Sequence, residues 1–198
     1  MINVILAGVG GQGTVLAAKV LAQAAQNKGW HVRTAETIGM AQRGGSVVSH
    51  VRMGARGEEV HAPLVMPGTA DVIIAFEPGE ACRAIGYLKQ GGAVVTATAV
   101  VQPVTAALSS QSYCSEKMLA SLRRSLDAAG CKLETVDAKP VLDGVGNRRV
   151  LNTVLLAATV ASGAVPLSID ELKEAIRACV KPRFVDVNLA AIDAVAGS

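Results

Sequence analysis

Ile2 to Ala7 is a short, unbroken apolar run that ends in glycines, which predicts a buried strand. From Thr14 to Lys28 the period becomes helical. Val15, Ala18, Leu21, Ala22 and Ala25 fall on one side, and Gly29 is the stop. Trp30 to Ala35 predicts a second strand, so strand, glycine turn, helix and strand follow in the order of a βαβ unit. Ser46 to Met53 alternates, with Val47, Ser49, Val51 and Met53 on one face and Val48, His50 and Arg52 on the other. With Gly54 to Gly57 as a turn and Glu58 to His61 returning, this predicts a β-hairpin added to the parallel core. Asp71 to Phe76, Ala93 to Thr98 and Lys132 to Asp137 predict further buried strands. Helices are expected at Pro78 to Leu88, stopped by Gly91 and Gly92, and at Tyr113 to Ala129.

Beyond Asn147 only helices are expected. One reaches Ala161, one starts at Ser168 with Glu171 three residues on as a capping box, and one spans about Val185 to Ala196. No composition break marks a linker. The expected fold is therefore α/β, a Rossmann-like and mostly parallel sheet with an added β-hairpin and a helical C-terminal part, all in a single domain over 1–198.

The chain has 198 residues, of which 51% are hydrophobic and 3% aromatic, so Ala, Val, Leu and Ile must build the core. A net charge of +3, spread without a basic stripe or interleaved aromatics, argues against a nucleic-acid partner. No apolar run reaches the roughly 18 residues of a membrane span, and the N-terminus lacks the basic leader of a signal peptide. The four cysteines, Cys82, Cys114, Cys131 and Cys179, form no CxxC pair. Neither a zinc site nor an iron–sulfur cluster held by this chain alone is expected, and a reducing cytoplasm is the expected compartment.

Gly8-Val9-Gly10-Gly11-Gln12-Gly13 matches GxGxxG after a strand and before a helix. Gly8 suits a tight turn, Gly10 a close approach of backbone to phosphate, and Gly13 close packing of helix on strand. The helix behind offers unpaired N–H groups to an anion; a bare tight turn is the alternative. Glu36 follows at roughly the separation, about 20 residues, of an acid that holds a ribose, yet the long loop after it departs from a plain dinucleotide fold. In that loop Arg43, Gly44 and Gly45 could make a bidentate contact to carboxylate or phosphate, or form a solvated turn. Glu77 and Glu80 follow a strand end, where ligands gather in α/β sheets; they also suit the first turn of a helix. The three histidines lack metal-ligand spacing, and no catalytic pairing of nucleophile and base is visible, so no catalytic residue is named. An autonomous NAD-type oxidoreductase and a non-catalytic nucleotide-binding scaffold both remain open.

GVGGQG at 8–13, ETIGMAQRGGSVVSHVRMG at 36–54, DVIIAFEPGEACR at 71–83 and NTVLLAA at 152–158 resemble the gamma type of the 2-oxoacid:ferredoxin oxidoreductases. Within that family the similarity is to the indolepyruvate branch, and it runs in order along nearly the whole chain. The resemblance implies a gamma-type domain and a non-redox role beside a large subunit carrying thiamine diphosphate and iron–sulfur clusters. The complex would oxidatively decarboxylate an aryl 2-oxoacid, form an acyl-CoA and reduce ferredoxin. It further implies that Gly8, Gly10, Gly11, Gln12 and Gly13 approach a phosphate. Glu36, Gly39, Arg43, Gly44, Gly45 and Ser46 would face the partner's active site or CoA.

Arg43 gives the first prediction. Arg43→Ala should leave the melting temperature of the free subunit unchanged, because a loop arginine rarely holds a core. Affinity for the large subunit or for CoA should fall by about 10- to 150-fold, the value of one lost bidentate contact. Melting curves beside binding and steady-state kinetics of the assembled pair check both halves.

Overall fold

The computed structural model describes residues 1–39, 45–55, 57–101 and 113–197. Six strands form one sheet: β1 (Ile2–Val9), β2 (His31–Ile38), β3 (Ser46–Gly54), β4 (Ala70–Ala75), β5 (Leu88–Ala97) and β6 (Lys132–Val136), in the order β2-β3-β1-β4-β5-β6. β1, β4, β5 and β6 are mutually parallel, whereas β3 runs antiparallel to both of its neighbours.

The hairpin exists, but with a different partner. β3 pairs with β2 from His31 opposite Gly54 to Ile38 opposite Val47, and with β1 from Ile2 opposite Met53 to Val9 opposite Ser46. Both edges of β3 are thus taken, and the segment expected to return at Glu58 to His61 forms no ladder. Arginine side chains occupy its carbonyls instead, with Arg33 Nε donating to Val60 O at 3.4 Å and Arg52 Nη1 to Ala62 O at 2.9 Å. Insertion of β3 also splits the opening βαβ unit, so β2 lies one strand away from β1.

The helices cover the two faces. α1 (Thr14–Asn27) follows β1, α2 (Pro78–Ala84) follows β4, and α3 (Ser115–Ala128) precedes β6. After β6 come α4 (Lys139–Gly144), α5 (Leu151–Ala161), α6 (Ile169–Cys179) and α7 (Val185–Ala196). Strand alternation divides the core. Val4, Leu6, Val51, Met53, Val72 and Ile74 pack under α1, α5 and α6, while Ile5, Ala7, Ile73 and Ala75 pack under α2 and α3. Ala17, Ala18, Ala24 and Ala25 line the buried side of α1, and their small side chains let it lie close to the sheet.

Local signals are met at several ends. Gly29 closes α1 at φ 75°, and the Ser168/Glu171 capping box starts α6. That box is tied to α1 by a Lys28–Glu171 ion pair of 2.6 Å. α2 stops at Ala84, a single 3₁₀ turn follows over Ile85–Tyr87, and β5 begins at Leu88, five residues earlier than its apolar run predicts. α4 carries no apolar period and was not expected. Among the described residues no helix is long and apolar enough to cross a membrane.

His50 on β3 is buried; its Nδ1 accepts the Val65 N–H at 3.2 Å, and its ring meets Tyr87 edge-on at 5.6 Å. Burial lowers its pKa from the ordinary 6.5. A lowered folded pKa means that the unfolded chain binds the proton more readily. The His50 contribution is therefore present above pH 6.5 and is lost as the pH falls below it toward the folded value. Urea unfolding between pH 8 and 5 should show this loss, and His50→Gln, which keeps an acceptor but does not titrate, should flatten it.

Candidate functional site at the glycine turn

β1 delivers Gly8 and Val9 to the C-terminal edge of the sheet, and the chain turns there into α1. Gln12 makes the turn self-supporting. Its Oε1 accepts the Val9 N–H at 2.7 Å, its own N–H donates to Val9 O at 3.1 Å, and its Nε2 donates to Phe76 O at 3.4 Å. The last contact fastens the turn to the end of β4. Gly11 and Gly13 take positive φ of 98° and 84°, the left-handed region where a side chain is strained. A Cβ on Gly8 would lie 2.8 Å from Thr14 Oγ1 and 3.1 Å from Phe76 Cβ, so only glycine fits.

The start of β3 closes over this turn. Gly10 N–H donates to Gly45 O at 2.9 Å, Gly39 N–H to Ser46 O at 2.9 Å, and Ser46 Oγ to Glu80 Oε2 at 2.6 Å. Glu80 is 2% exposed and also accepts Arg83 Nε at 2.9 Å. Beside it Glu77, 0% exposed, caps α2 by accepting the Glu80 N–H at 2.9 Å and takes the Tyr113 hydroxyl at 2.9 and 3.0 Å. Gly79 makes room, since a Cβ there would lie 2.2 Å from Tyr113 Oη. Burial first, then the hydrogen bond to Glu77 and its charge, pushes the Tyr113 pKa up to about 12, so this phenol donates and does not ionise. The Arg83 guanidinium is held charged chiefly by its hydrogen bond to Glu80. Its Nη2 stands 3.7 Å from Glu77. Two carboxylates thus share one guanidinium beside Ser46.

Two polar groups at the turn are left over. Thr14, the first residue of α1, is 3% exposed and its Oγ1 has no partner. Asn152 of α5 is 4% exposed, and its side-chain nitrogen lies 3.1 Å from where a Cβ on Gly13 would stand.

The structure thus gathers Gly8, Gly10, Gly11, Gln12, Gly13, Gly45 and Ser46 at one place, with Gly39 beside Ser46. Glu36 stands apart. It is exposed on β2 opposite Ser49 and lines a groove with Val15, Lys19 and Gln23 along α1. Because β3 intervenes, this acid is not on the strand next to the glycine turn, where a dinucleotide-binding acid would stand. Arg43 and Gly44 lie outside the described residues. Sequence reasoning placed Glu77 and Glu80 at a strand end but missed Thr14, Tyr113 and Asn152. Thr14 could have been found, since it directly follows the motif. Tyr113 and Asn152 approach from 36 residues beyond Glu77 and from the C-terminal helices, and carry no local signal.

The geometry suits binding of an anion. The N–H groups of Gly10 and Gln12 are occupied, while the first N–H groups of α1 have no acceptor within the helix and face outward at its positive end. The cysteines do not suit an iron–sulfur cluster. Cys82 sits on α2, Cys131 contacts Lys89 O, Cys179 contacts Lys19 O, and no group of three His, Cys, Asp or Glu gathers among the described residues.

Comparison with known proteins agrees along the whole chain. The family described as pyruvate ferredoxin/flavodoxin oxidoreductase matches residues 3–197. Indolepyruvate oxidoreductase subunit IorB of Pyrococcus horikoshii is 40% identical over 192 residues, 96% of this chain and 92% of that one. The gamma subunit of the keto/oxoacid ferredoxin oxidoreductase of Geobacter sulfurreducens superposes with a TM-score of 0.70 at 20% identity, over 100% of this chain and 97% of that one. The 2-oxoglutarate:ferredoxin oxidoreductase of Magnetococcus marinus, a structure with 2-oxoglutarate, coenzyme A and succinyl-CoA bound, matches with a TM-score of 0.67 at 21% identity. That match covers 99% of this chain and 31% of that one.

Gly13 generates a stability prediction. Gly13→Ala combines a left-handed backbone, about 1–2 kcal/mol, with pressure on Asn152. Gly11→Ala has the backbone term alone, because nothing lies within 4 Å of its Cβ position. Urea unfolding should find Gly13→Ala the less stable variant, with the excess shrinking in an Asn152→Ala background.

Proposed function

As the chain belongs to the pyruvate ferredoxin/flavodoxin oxidoreductase family, we propose that it is the non-redox subunit of a thiamine-diphosphate-dependent indolepyruvate:ferredoxin oxidoreductase. The observation that carries this reading is the anion-ready turn in a chain so similar to an IorB subunit. In the reaction an aryl 2-oxoacid loses carbon dioxide, its acyl carbon passes to the thiol of CoA, and the two electrons released reduce ferredoxin. Thiamine diphosphate, which the resemblance places in the larger subunit, would supply the decarboxylation chemistry there. Iron–sulfur clusters in that subunit carry the electrons onward.

This chain supplies binding and orientation. The turn at Gly8, Gly10, Gly11, Gln12 and Gly13 receives the diphosphate of CoA at the positive end of α1. Gly39, Gly45 and Ser46 border it, Glu36 lies farther out on β2, and Arg43 and Gly44, by the resemblance, complete the segment that meets CoA or the large subunit. The Gly10–Gly45 hydrogen bond and the Ser46–Glu80 contact support this reading, because they hold the loop's end against the turn. A bound coenzyme A in a larger protein that carries a related fold over 31% of its chain lends it further support. The whole chain acts as one gamma-type domain in the cytoplasm, a compartment that suits its four free cysteines.

The test is reconstitution with the large subunit. The chain alone should be colourless and inactive, and the pair should oxidise indolepyruvate with ferredoxin as acceptor. Gly10→Val should raise the Michaelis constant for CoA in the pair by about tenfold or more, the loss of some 1.4 kcal/mol of binding. An unchanged constant in a folded variant would assign the turn to structure alone. Visible absorption scaling with iron in this chain alone would overturn the non-redox role.

A further inference from the structure

A cavity of about 190 Å³ opens between the first turn of α1 and the C-terminal helices. Leu16, Val180, Phe184 and Val187 form its apolar walls. Among the described residues of the lining, Arg149 supplies the single charge and no carboxylate is present. At about 30 Å³ per water the space holds roughly six waters, enough for one fused ring but well below the 300–1,000 Å³ of a site that takes a whole ligand. It adjoins the glycine turn directly. Leu16 lies two residues, about 3 Å along the helix, from Thr14, and Asn152 both lines the cavity and packs on Gly13.

Asn152 stands out among the amides of this lining. Asn147 Oδ1 accepts the Arg149 N–H at 2.9 Å, and Asn188 accepts from Thr153 while its Nδ2 donates to Phe184 O at 2.7 Å. Asn152 alone has neither side-chain atom engaged although it is almost fully buried. Its amide atoms are not sealed from solvent, so they are open to the cavity the residue lines and free to engage a ligand there. Its donor and acceptor lie side by side, the pattern that pairs bidentately with the N6/N7 edge of adenine.

We infer that this cavity is the base subsite of an adenine nucleotide, in which Asn152 reads the N6/N7 edge and the phosphates lie at the turn of α1. The inference rests on the anion-binding reading of that turn. Apolar walls take the ring faces, Arg149 is the cation of the described lining, and Thr14 Oγ1 is the remaining unpartnered group at the phosphate end.

Calorimetric titration of the full chain with inorganic pyrophosphate, ADP and GDP tests it. ADP should bind at least about tenfold tighter than pyrophosphate, and GDP, whose corresponding edge offers two acceptors, should lack most of that gain. Asn152→Leu should abolish the ADP gain and leave pyrophosphate binding as in the wild type. In the unmodified chain the Asn152 side-chain amide resonance should shift with ADP and not with pyrophosphate, a readout that needs no variant to fold. Pyrophosphate binding with no added affinity for ADP overturns the base subsite and leaves the anion site standing. ADP binding lost in Asn152→Leu, without measurable pyrophosphate binding, supports the cavity and removes the phosphate role of the turn. A gain retained in Asn152→Leu, an equal gain for GDP, or no binding of any of the three overturns the inference.

Discussion

The seating of β3 between β1 and β2 is the constraint from which the rest of the site follows. A strand that pairs on both sides has its register fixed twice, once from Ile2 to Val9 and once from His31 to Ile38. That double pairing sets Ser46 opposite Val9, at the very end of β1, where the glycine turn begins. From there the Gly45 carbonyl meets the Gly10 N–H and the Ser46 hydroxyl meets Glu80. The same insertion moves β2, and with it Glu36, one strand outward. A plain dinucleotide-binding arrangement and this one therefore share a glycine motif but differ in which side chains surround it.

Beneath the turn, charge is buried in an unequal ratio. Glu77 and Glu80 are both inaccessible, and Arg83, 54% exposed on its side chain, serves them together. Breaking a fully buried pair costs about 3–5 kcal/mol, and the half-exposed guanidinium places this one below that range. The excess carboxylate is stabilised by hydrogen bonds: the Glu80 N–H and the Tyr113 hydroxyl both donate to Glu77. The network ties three separate segments, β3, α2 and Tyr113 two residues before α3, to the same end of the sheet. Rigid support of this kind is what a binding turn requires, because a loop held from below loses little freedom when its ligand arrives.

The chain is built from small aliphatic residues, and this shapes what it can do. Alanines on α1 and α5 let helices lie close to the sheet, and beside the first turn of α1 a space stays open between Leu16, Asn152 and Phe184. Space for a ligand arises here from side chains that are absent.

Much of the fold was legible from local physics. The apolar runs of β1, β4, β5 and β6, the long helical periods, the glycine stop at Gly29 and the Ser168 capping box each depend on neighbours in sequence, and each is present. So does the glycine turn, whose strand-before and helix-after context is local. The partner of β3 was not legible, because alternation tells which face a strand hides but not which edges it shares. α4 was missed for another reason, as its six residues carry too few turns for a period to show. At the site, Tyr113 and Asn152 reach Glu77 and Gly13 across the fold through contacts that no spacing encodes. Sequence alone determined that a backbone turn able to meet an anion stands at the head of α1. Tertiary packing alone decided which buried side chains surround it, since burial is a property of the assembled layers and not of any segment within them.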